Sequence, residues 1–520
     1  MQVYTRVTRL FIVHRDTYLV PHYRSLVCHQ TLLTKKNRHL MSYPDSQLRT
    51  YIQDHRAAFE DLLGQMVEVP SVSSDPAHSP DMDRMAKLAV QYLEQFGARA
   101  SIVKTRGYPS VSGEWVAGRQ YPTLTIYNHL DVQPAKEPEW HQPPFAFHKD
   151  GERYCGRGAT DDKGPALTAL FAVKFARESG IPLNIRVLWE LEEEIGSPHF
   201  SEVLQNRKIV PPSDSVLVSD TIWVAKNRPA LSCGLRGLLA ARLVLRTGET
   251  DIHSGLTGGG ARNPLAELCE AAYSCLDAKT GRVKIPGFYD EVVPPTRTEL
   301  KDFVASGFQV RLFKEAYQLR SLRTSDPKDL LKRIWASPTF EVHGLTGGHM
   351  GPGVKTIVPA WGELKVSMRL VPNQHPQKIF RLLKKHLRVR NPDIEVINEG
   401  ELKPYRGISE GPYAEALQDA VQQGFGRRPV FVREGGSIGA VAVLQHAWKV
   451  PILFMGLSLP EHGYHAPNEY FDWGQASGGI AAFVHYFDSV SRMPPDQSKT
   501  RVKRKKDYGP GGGSGVEGGS

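Results

Sequence analysis

Cysteine is scarce in this sequence, and its few residues follow no pattern that would build a framework. Five cysteines occur among 520 residues, an odd number with no CxxC spacing. That pattern argues against a disulfide framework and against a zinc site made of thiolates. A reducing compartment is therefore the simplest expectation.

Long hydrophobic runs are missing as well. No stretch approaches the roughly 18 uninterrupted apolar residues of a membrane-spanning helix, so no membrane partner is expected. Residues 1–44 are basic and poor in acids, and they lack the apolar core and cleavage site of a secretory signal. We predict a disordered or mis-started extension there, because the sequence from Met41 looks like a natural beginning. A cytoplasmic protein is expected, with organelle targeting by this extension left open as an alternative.

Positive charge is concentrated at the two ends and missing from the body. The net charge is +10, of which residues 1–44 contribute +6 and residues 499–507 contribute +5, which leaves the rest near −1. Such a body has no general attraction for phosphate, so nucleic acid is not expected as a partner. Residues 493–520 are basic and rich in glycine, and we predict a disordered tail.

Helical patterns alternate with short apolar strands over much of the remaining chain. The stretches "YPTLTIYNHLDV", "LNIRVLWEL" and "DSVLVSD" are typical of strands between turn signals. Apolar stripes predict helices from Ser46 to Val67, from Asp81 to Phe96, and over "GPALTALFAVKFARESG". This alternation predicts an α/β fold in which helices cover both sides of a sheet.

The pattern changes near residue 233. The stretches "GLLAARLVLRTGE" and "GELKVSMRLVPN" alternate apolar and polar residues, as half-exposed strands do. We predict a smaller α+β domain over residues 233–403, inserted between the two parts of the α/β domain, residues 45–232 and 404–492.

Side chains that can bind metal occur at five places near predicted strand ends. In an open α/β sheet, ligands gather outside the carboxyl ends of the strands, so residues distant in sequence can converge there. Histidine and carboxylate ligands without thiolates suit zinc, manganese or cobalt, and these candidates are numerous enough for two ions that share a carboxylate. The five places hold His129 with Asp131, Asp161 with Asp162, Glu193 with Glu194, Asp220, and His465.

The stretch "RVLWELEEEIGSPHF" crowds four carboxylates at the end of a strand. A solvated helix start would explain them, since acids near a helix N-terminus are favourable. Alternatively, some of them hold metal or move a proton. The strand breaks into a loop at "IGS", which lets Glu193 and Glu194 act as neighbours, whereas a solvated or structural role suits Glu190 and Glu192.

These motifs resemble those of the co-catalytic zinc peptidases, a family that includes carnosinase-type dipeptidases, carboxypeptidase G and acetylornithine deacetylase. The resemblance covers about residues 46–490, and it is closest to the carnosinase branch through "HLDVQPAKEPEWHQPPF", "GRGATDDKGP" and "REGGSIGA". It implies a catalytic domain with helices on both sides of a mixed sheet and an inserted lid and dimerisation domain. One departure is Leu191, where the family often has glycine.

The resemblance also implies a ligand set for two divalent metal ions in each subunit. His129, Asp161 and Asp220 would hold one ion, and Asp161 would bridge to the second, together with Glu194 and His465. Zinc is the expected metal, with manganese and cobalt as alternatives.

Further roles follow from the same resemblance. Asp131 would orient His129, as a carboxylate commonly does for a ligating imidazole, and Glu193 would be the general base. The peptide bond between Asp161 and Asp162 would be cis, as in the family.

The inserted segment would complete the site. His253 matches a family histidine that reaches the active site of the partner subunit and stabilises the oxyanion there. Arg369 matches the arginine for the substrate carboxylate. A turn residue and a surface charge are the plainer alternatives for these two. Thr356, Gly436 and Ser437 match positions that line the substrate pocket.

The sequence as a whole predicts a metal-dependent hydrolase that cleaves the amide bond of dipeptides or small peptides with a free carboxylate, acting as a homodimer. An N-acyl amino acid deacylase with the same dinuclear site is the alternative. A non-catalytic scaffold protein is a third possibility, but it predicts a lost ligand or base, and every one is present.

Overall fold

The computed structural model describes residues 42–495. The predicted N-terminal extension and C-terminal tail therefore lie almost wholly outside the described residues. Within them, no helix combines the length and apolarity needed to cross a membrane.

The described residues contain fourteen α-helices. They are α1 (Asp45–Asp54), α2 (Arg56–Val67), α3 (Ser79–Gln95), α4 (Gly164–Glu178), α5 (Phe200–Gln205), α6 (Ser254–Thr257), α7 (Pro264–Cys275), α8 (Arg297–Ala305), α9 (Val310–Ala316), α10 (Pro327–Ala336), α11 (Pro376–Arg388), α12 (Pro412–Phe425), α13 (Gly439–Trp448) and α14 (Trp473–Ser491).

Twenty strands accompany the helices in the described part of the chain. They are β1 (Arg99–Val103), β2 (Ser110–Trp115), β3 (Thr123–His129), β4 (His148–Asp150), β5 (Arg153–Cys155), β6 (Asn184–Glu190), β7 (Ser215–Val218), β8 (Ala230–Leu235), β9 (Gly237–Arg246), β10 (Ile252–His253), β11 (Leu276–Asp277), β12 (Arg282–Val283), β13 (Glu341–Thr346), β14 (Ile357–Val358), β15 (Trp361–Leu370), β16 (Glu395–Leu402), β17 (Tyr405–Arg406), β18 (Val430–Glu434), β19 (Ile452–Phe454) and β20 (Tyr470–Asp472).

The largest sheet has six strands in the order β1-β2-β6-β3-β7-β19. Strands β6, β3, β7 and β19 run parallel to one another, whereas β1 and β2 are antiparallel to their neighbours. The sheet is therefore mixed, as predicted.

Helices cover both faces of this sheet. Ile126 packs in a hydrophobic cluster with α2, α4 and α14, whereas the next residue, Tyr127, packs in a second cluster with α5 and α13. Successive strand residues point to opposite faces, so one strand contributes to both clusters. The predicted α/β fold class is confirmed.

A second sheet has the antiparallel order β13-β15-β9-β16. Buried and partly buried residues alternate along β9, as predicted for a half-exposed strand, and the buried ones pack with residues of α7 and α11 in a separate cluster. This sheet lies within the segment for which an inserted domain is predicted; the domain boundaries themselves stay predictions.

The prediction of one helix from Ser46 to Val67 is wrong, because this segment forms two helices. Helix α1 ends at Asp54 and α2 begins at Arg56. At the junction, the ring of His55 stacks on that of Tyr51, with 4.0 Å between centroids. His55 Nδ1 also lies 2.9 Å from the carbonyl oxygen of Tyr51. These contacts hold the junction at a break that the apolar stripe does not reveal.

Candidate active site

The predicted site residues meet at the carboxyl ends of three neighbouring parallel strands. His129 is the last residue of β3, Glu193 follows the end of β6, and Asp220 follows the end of β7. Because these strands are parallel, their carboxyl ends lie at one edge of the sheet. Asp161 reaches the same place from the turn that precedes α4.

His129, Asp161 and Asp220 form the first group of metal-competent atoms. His129 Nε2 lies 2.9 Å from Asp161 Oδ1 and 3.9 Å from Asp220 Oδ1. All three side chains are buried, and one ligand atom from each lies within 4.8 Å of the others. This spacing is compact enough for a single cation to contact all three.

Asp161, Glu194 and His465 form the second group. His465 Nε2 lies 2.9 Å from Asp161 Oδ2 and 3.3 Å from Glu194 Oε2. The two oxygens of Asp161 therefore face different groups. The carboxylates are buried, whereas the side chain of His465 is 50% exposed, so the second group lies nearer the surface.

The donor set fits divalent cations. Five carboxylates crowd around only two imidazoles, and buried negative charges of this number need compensation. Nitrogen and oxygen donors without thiolates suit zinc, manganese or cobalt. The residues present therefore fit a pair of such ions that share Asp161. The carboxylates are those of Asp131, Asp161, Glu193, Glu194 and Asp220, and the imidazoles are those of His129 and His465.

The pKa values of the carboxyl groups diverge within this centre. Burial raises the pKa of Glu193 well above its ordinary value, and the charges of Asp220 and Glu194 raise it further, against the opposing effect of His129. Burial also acts on Asp161, but its contacts with the two histidines outweigh it and lower the pKa of Asp161. The centre thus separates a carboxyl that binds a proton readily from one that stays ionised.

Asp131 contacts both His129 and the turn that carries the glutamates. His129 Nδ1 lies 3.0 Å from the backbone oxygen of Asp131 and 3.5 Å from its carboxylate, so the shorter contact is to the carbonyl. The carboxylate accepts hydrogen bonds from the backbone N–H groups of Glu193 at 3.2 Å and Glu194 at 3.0 Å, and from Ser73 Oγ at 2.7 Å. Asp131 therefore ties the position of His129 to that of the glutamate pair.

The peptide bond between Asp161 and Asp162 is cis, which confirms the prediction. The carboxylate of Asp162 points to a different partner from that of Asp161 and accepts a hydrogen bond from Asn128 Nδ2 at 2.7 Å. The two consecutive aspartates thus contact different residues: Asp161 contacts the two histidines, and Asp162 contacts Asn128.

Glu469 fixes the loop that carries Asp161. Its carboxylate accepts hydrogen bonds from Arg157 Nη1 at 2.7 Å and from the backbone N–H groups of Gly158 at 3.0 Å, Thr160 at 2.9 Å and Asp161 at 3.1 Å. Glu469 and Arg157 are both buried. Its place four positions after His465 is the only sequence signal that could have pointed to it.

Glu190 and Glu192 are not solvated, so that part of the prediction is wrong and the structural alternative holds. Both are buried. Glu190 accepts a hydrogen bond from the hydroxyl of Tyr127, and burial raises the pKa of Glu190 to about 8. Glu192 accepts one from the backbone N–H of Tyr108 at 2.9 Å and lies 3.0 Å from His199 Nδ1. Tyr127 and Tyr108 are distant from these glutamates in the sequence, whereas His199 lies seven residues after Glu192.

Tyr464 is a further residue of the centre that the sequence did not single out. Its hydroxyl donates a hydrogen bond to Asp220, and its ring stacks on that of His465 with 5.3 Å between centroids. It therefore touches one member of each metal-competent group. Its position next to His465 is the only signal that could have pointed to it.

Three of the predicted substrate-binding residues lie together. Arg369 Nη1 donates to Ser437 Oγ at 3.1 Å, which joins the end of β15 to the loop after β18. In the same loop, the backbone oxygen of Gly436 accepts a hydrogen bond from the backbone N–H of Arg236 at 3.0 Å. The cluster brings Arg369, Gly436 and Ser437 into one place.

His253 lies on the small β10–β14 ladder, Thr356 immediately precedes β14, and both residues are exposed. His253 Nδ1 accepts a hydrogen bond from the backbone N–H of Gly255 at 2.9 Å, and the backbone oxygen of Thr356 accepts one from Ser254 at 3.0 Å. Among the contacts of residues 42–495, none joins either residue to the two metal-competent groups. The structure of one chain thus leaves these two predicted residues apart from the centre.

Comparison with known proteins identifies related enzymes. Residues 125–489 match the model for peptidase family M20/M25/M40. The Cys-Gly metallodipeptidase dug1 of Schizosaccharomyces pombe is 31% identical, over 86% of this chain and 99% of its own length. The human Beta-Ala-His dipeptidase is 28% identical, over 85% of this chain and 92% of its own length.

Solved structures of two dipeptidases superpose on most of this chain. The di-peptidase Dug1p of Saccharomyces cerevisiae superposes with a TM-score of 0.77 at 27% identity, covering 86% of this chain and 99% of that chain. Human carnosine dipeptidase 1 superposes with a TM-score of 0.76 at 26% identity, again covering 86% of this chain and 99% of that chain. The matched region of this chain includes every predicted site residue.

Proposed function

This chain belongs to peptidase family M20/M25/M40, and we propose that it is a dinuclear metal-dependent dipeptidase. Its substrates are dipeptides or small peptides with a free terminal carboxylate, whose amide bond it hydrolyses. One observation carries the proposal: both oxygens of the buried Asp161 are used, one in each of two histidine–carboxylate groups beside Glu193. The relatives named as metallodipeptidases support it.

Two divalent cations would be held by the two groups, one by His129, Asp161 and Asp220 and the other by Asp161, Glu194 and His465. Zinc is the metal we expect, with manganese and cobalt as alternatives. Such ions, when bound, lower the pKa of a coordinated water and polarise a peptide carbonyl.

Glu193 would be the general base. Burial and the neighbouring carboxylates Asp220 and Glu194 raise its pKa, so it accepts a proton more readily than an exposed glutamate does. It would take the proton from the attacking water and give it to the nitrogen of the departing amine. Asp131 positions Glu193 for both transfers by accepting a hydrogen bond from its backbone N–H.

Arg369 would bind the terminal carboxylate of the substrate, in the pocket that Gly436 and Ser437 line. A guanidinium matches a carboxylate with two parallel N–H donors, and Arg369 has donors beyond the one that it gives to Ser437. Thr356 and His253 would come from the partner subunit of a homodimer, with His253 stabilising the oxyanion of the tetrahedral intermediate. Their exposure within one chain supports this arrangement.

The proposal places the enzyme in the cytoplasm. The cysteine content supports this, since five cysteines without a pairing pattern suit a reducing compartment.

A substrate panel tests the proposal. Purified protein is supplied with zinc or manganese and assayed on dipeptides, their C-terminal amides and N-acyl amino acids, with and without a chelator, while metal content is measured by elemental analysis. We expect chelator-sensitive hydrolysis of free dipeptides and about two ions per chain. Cleavage of N-acyl amino acids alone would instead identify a deacylase. Fewer than about one ion per chain after supplementation would point to a non-catalytic protein.

A further inference from the structure

Arg236 links a three-stranded sheet, in the order β17-β8-β18, to the second sheet. Strand β8 ends at Leu235 and β9 begins at Gly237, so Arg236 alone separates them. Its Nε donates to the backbone oxygen of Gly435 at 3.0 Å, and its Nη1 donates to that of Ser337 at 3.5 Å. The guanidinium thus lies against the loop that carries Gly436 and Ser437.

Arg236 and Arg369 are neighbours. Ser437 Oγ accepts a hydrogen bond from Arg369 and donates one to the backbone oxygen of Arg236, so a single hydroxyl joins the two residues. Burial and the positive charge of Arg369 together lower the pKa of Arg236 to about 10. The two cations therefore repel each other across a partly buried space.

Neither guanidinium has a carboxylate partner among residues 42–495. Burial alone shifts the pKa of Arg369, and the only acid that acts on Arg236 is Glu341, which lies beyond ion-pair distance. Elsewhere in the described chain, fully buried arginines are paired. These are Arg157 with Glu469, Arg186 with Glu114, and Arg433 with Glu299. Arg236 and Arg369 are half-buried, adjacent and without an acid, in a fold that pairs its buried arginines, and this indicates a site for an anion.

Gly435 packs closely against the guanidinium of Arg236 and the backbone oxygen of Ile334. A Cβ atom at this glycine would lie 3.2 Å from Arg236 Nη2, so any side chain there would crowd the guanidinium. Nη2 makes no hydrogen bond to another residue of the described chain, and its N–H groups remain available to a ligand.

We propose that Arg236 is a second carboxylate-binding residue, which holds the terminal carboxylate of the substrate together with Arg369 and Ser437. This inference rests on the proposed function and deepens it. The substrate supplies the negative charge that the two arginines lack, so binding pairs both cations at once. The enzyme should therefore discriminate strongly between a free dipeptide and its uncharged C-terminal amide.

A purely structural role for Arg236 would be to join Gly435 to Ser337 through its two hydrogen bonds. The experiment must distinguish this structural role from binding of the substrate carboxylate. Loss of a fastening residue disturbs the site for every substrate, whereas loss of a charge partner affects only the substrate that carries the charge. Kinetics on Ala-Leu and on its C-terminal amide make this distinction.

Arg236→Met is compared with wild type on both substrates under metal-saturated conditions. We expect KM for Ala-Leu to rise about 10- to 100-fold with kcat within about threefold, while kcat/KM for the amide stays within about threefold. Arg242→Met is the matched control, because Arg242 lies on the same strand β9 but already contacts Glu363 and Glu399. This control should match wild type on both substrates.

Equal losses on Ala-Leu and on its amide, or no loss on either, would overturn the proposal while leaving the dipeptidase activity intact. If wild type cleaved no dipeptide, the proposed function and this inference would both fail. Should Arg236→Met not fold, Arg236→Lys carries the test, since it keeps the charge but not the two-nitrogen fork. It should raise KM for Ala-Leu about 3- to 10-fold and leave the amide unchanged; a parallel loss on both would overturn the proposal.

Discussion

The histidine–carboxylate centre and the β10–β14 ladder hold their predicted functional residues in opposite ways. At the centre, the side chains of His129, Asp161 and Asp220 are no more than 4% exposed, and each contacts other members of the site. Beside the ladder, His253 and Thr356 are exposed, and they accept hydrogen bonds from the adjacent short helix α6.

This difference shows which part of the site one chain can organise. Buried groups with several fixed partners are ordered before substrate arrives, so they lose little further entropy on binding. Exposed side chains with few partners have to be ordered by something else. One chain thus organises the centre by itself, whereas the roles proposed for His253 and Thr356 would depend on a partner that covers the ladder.

The largest effect should follow from removing the proton carrier of the centre. Glu193→Gln keeps the shape of the side chain but cannot take up a proton, and we expect kcat to fall roughly 10³- to 10⁴-fold. Metal content by elemental analysis should match wild type, because Glu193 is outside both ligand groups. Glu410→Gln, at an exposed glutamate, is the control and should be fully active. Substantial activity in Glu193→Gln would remove Glu193 from the role of base.

The next largest effect concerns the network that orders the centre. Glu469→Gln leaves the buried charge of Arg157 without its partner and should lower the free energy of unfolding by about 3–5 kcal/mol, as measured by urea denaturation. Glu315→Gln breaks the exposed helix pair with Arg311 and should change it by less than about 0.5 kcal/mol. If both variants had the same free energy of unfolding, the buried pair of Arg157 and Glu469 would stabilise the fold no more than the exposed pair of Arg311 and Glu315 does.

A smaller effect is expected on the ladder. His253→Ala should lower kcat roughly 100-fold through loss of oxyanion stabilisation, with no change in metal content. Mixing provides the sharper measurement. In a dimer of one His253→Ala and one Glu193→Gln subunit, one site regains both groups if His253 acts across the interface. Random mixing in equal amounts should then restore about a quarter of wild-type activity.

No recovery in these mixed dimers would show that His253 serves its own subunit or neither. If His253 served its own subunit, the ladder and the centre would act within one chain, and the contrast between them would not hold. Differently tagged, co-expressed subunits purified through both tags provide the mixed dimer directly.

The smallest effect is expected at Thr356. Thr356→Ala removes one exposed hydroxyl, so KM should rise about 3- to 10-fold while kcat and the unfolding temperature stay unchanged. Thr346→Ala, at an exposed threonine that ends β13 of the second sheet, should have no effect on KM. A loss of stability in Thr356→Ala would show that the residue is part of the packed fold.

Much of the fold could be predicted because its signals are local. The strand from Thr123 to His129 and the alternation along Gly237–Arg246 follow directly from the order of apolar residues. The break at His55 could not be predicted, since the residues on both sides continue the same helical stripe. Only the stacked rings and the carbonyl contact distinguish it.

The candidate site divides in the same manner. His129 ends one apolar strand and Asp220 follows another, so their convergence with Asp161 could be expected from the topology of a parallel sheet. The contacts of Tyr464 and Glu469 depend on side-chain directions in a loop, which no periodic pattern encodes. Burial of Glu190 depends on strand pairing instead, because its partner Tyr127 lies on the neighbouring strand β3.

The two oxygens of Asp161 have a consequence for inheritance. Since one oxygen belongs to each histidine–carboxylate group, a single codon supplies a ligand to both. Substitution by a residue without a side-chain oxygen, such as alanine, glycine or valine, removes an oxygen from both groups at once and leaves neither group complete. Selection therefore acts on the two groups as one trait at this position.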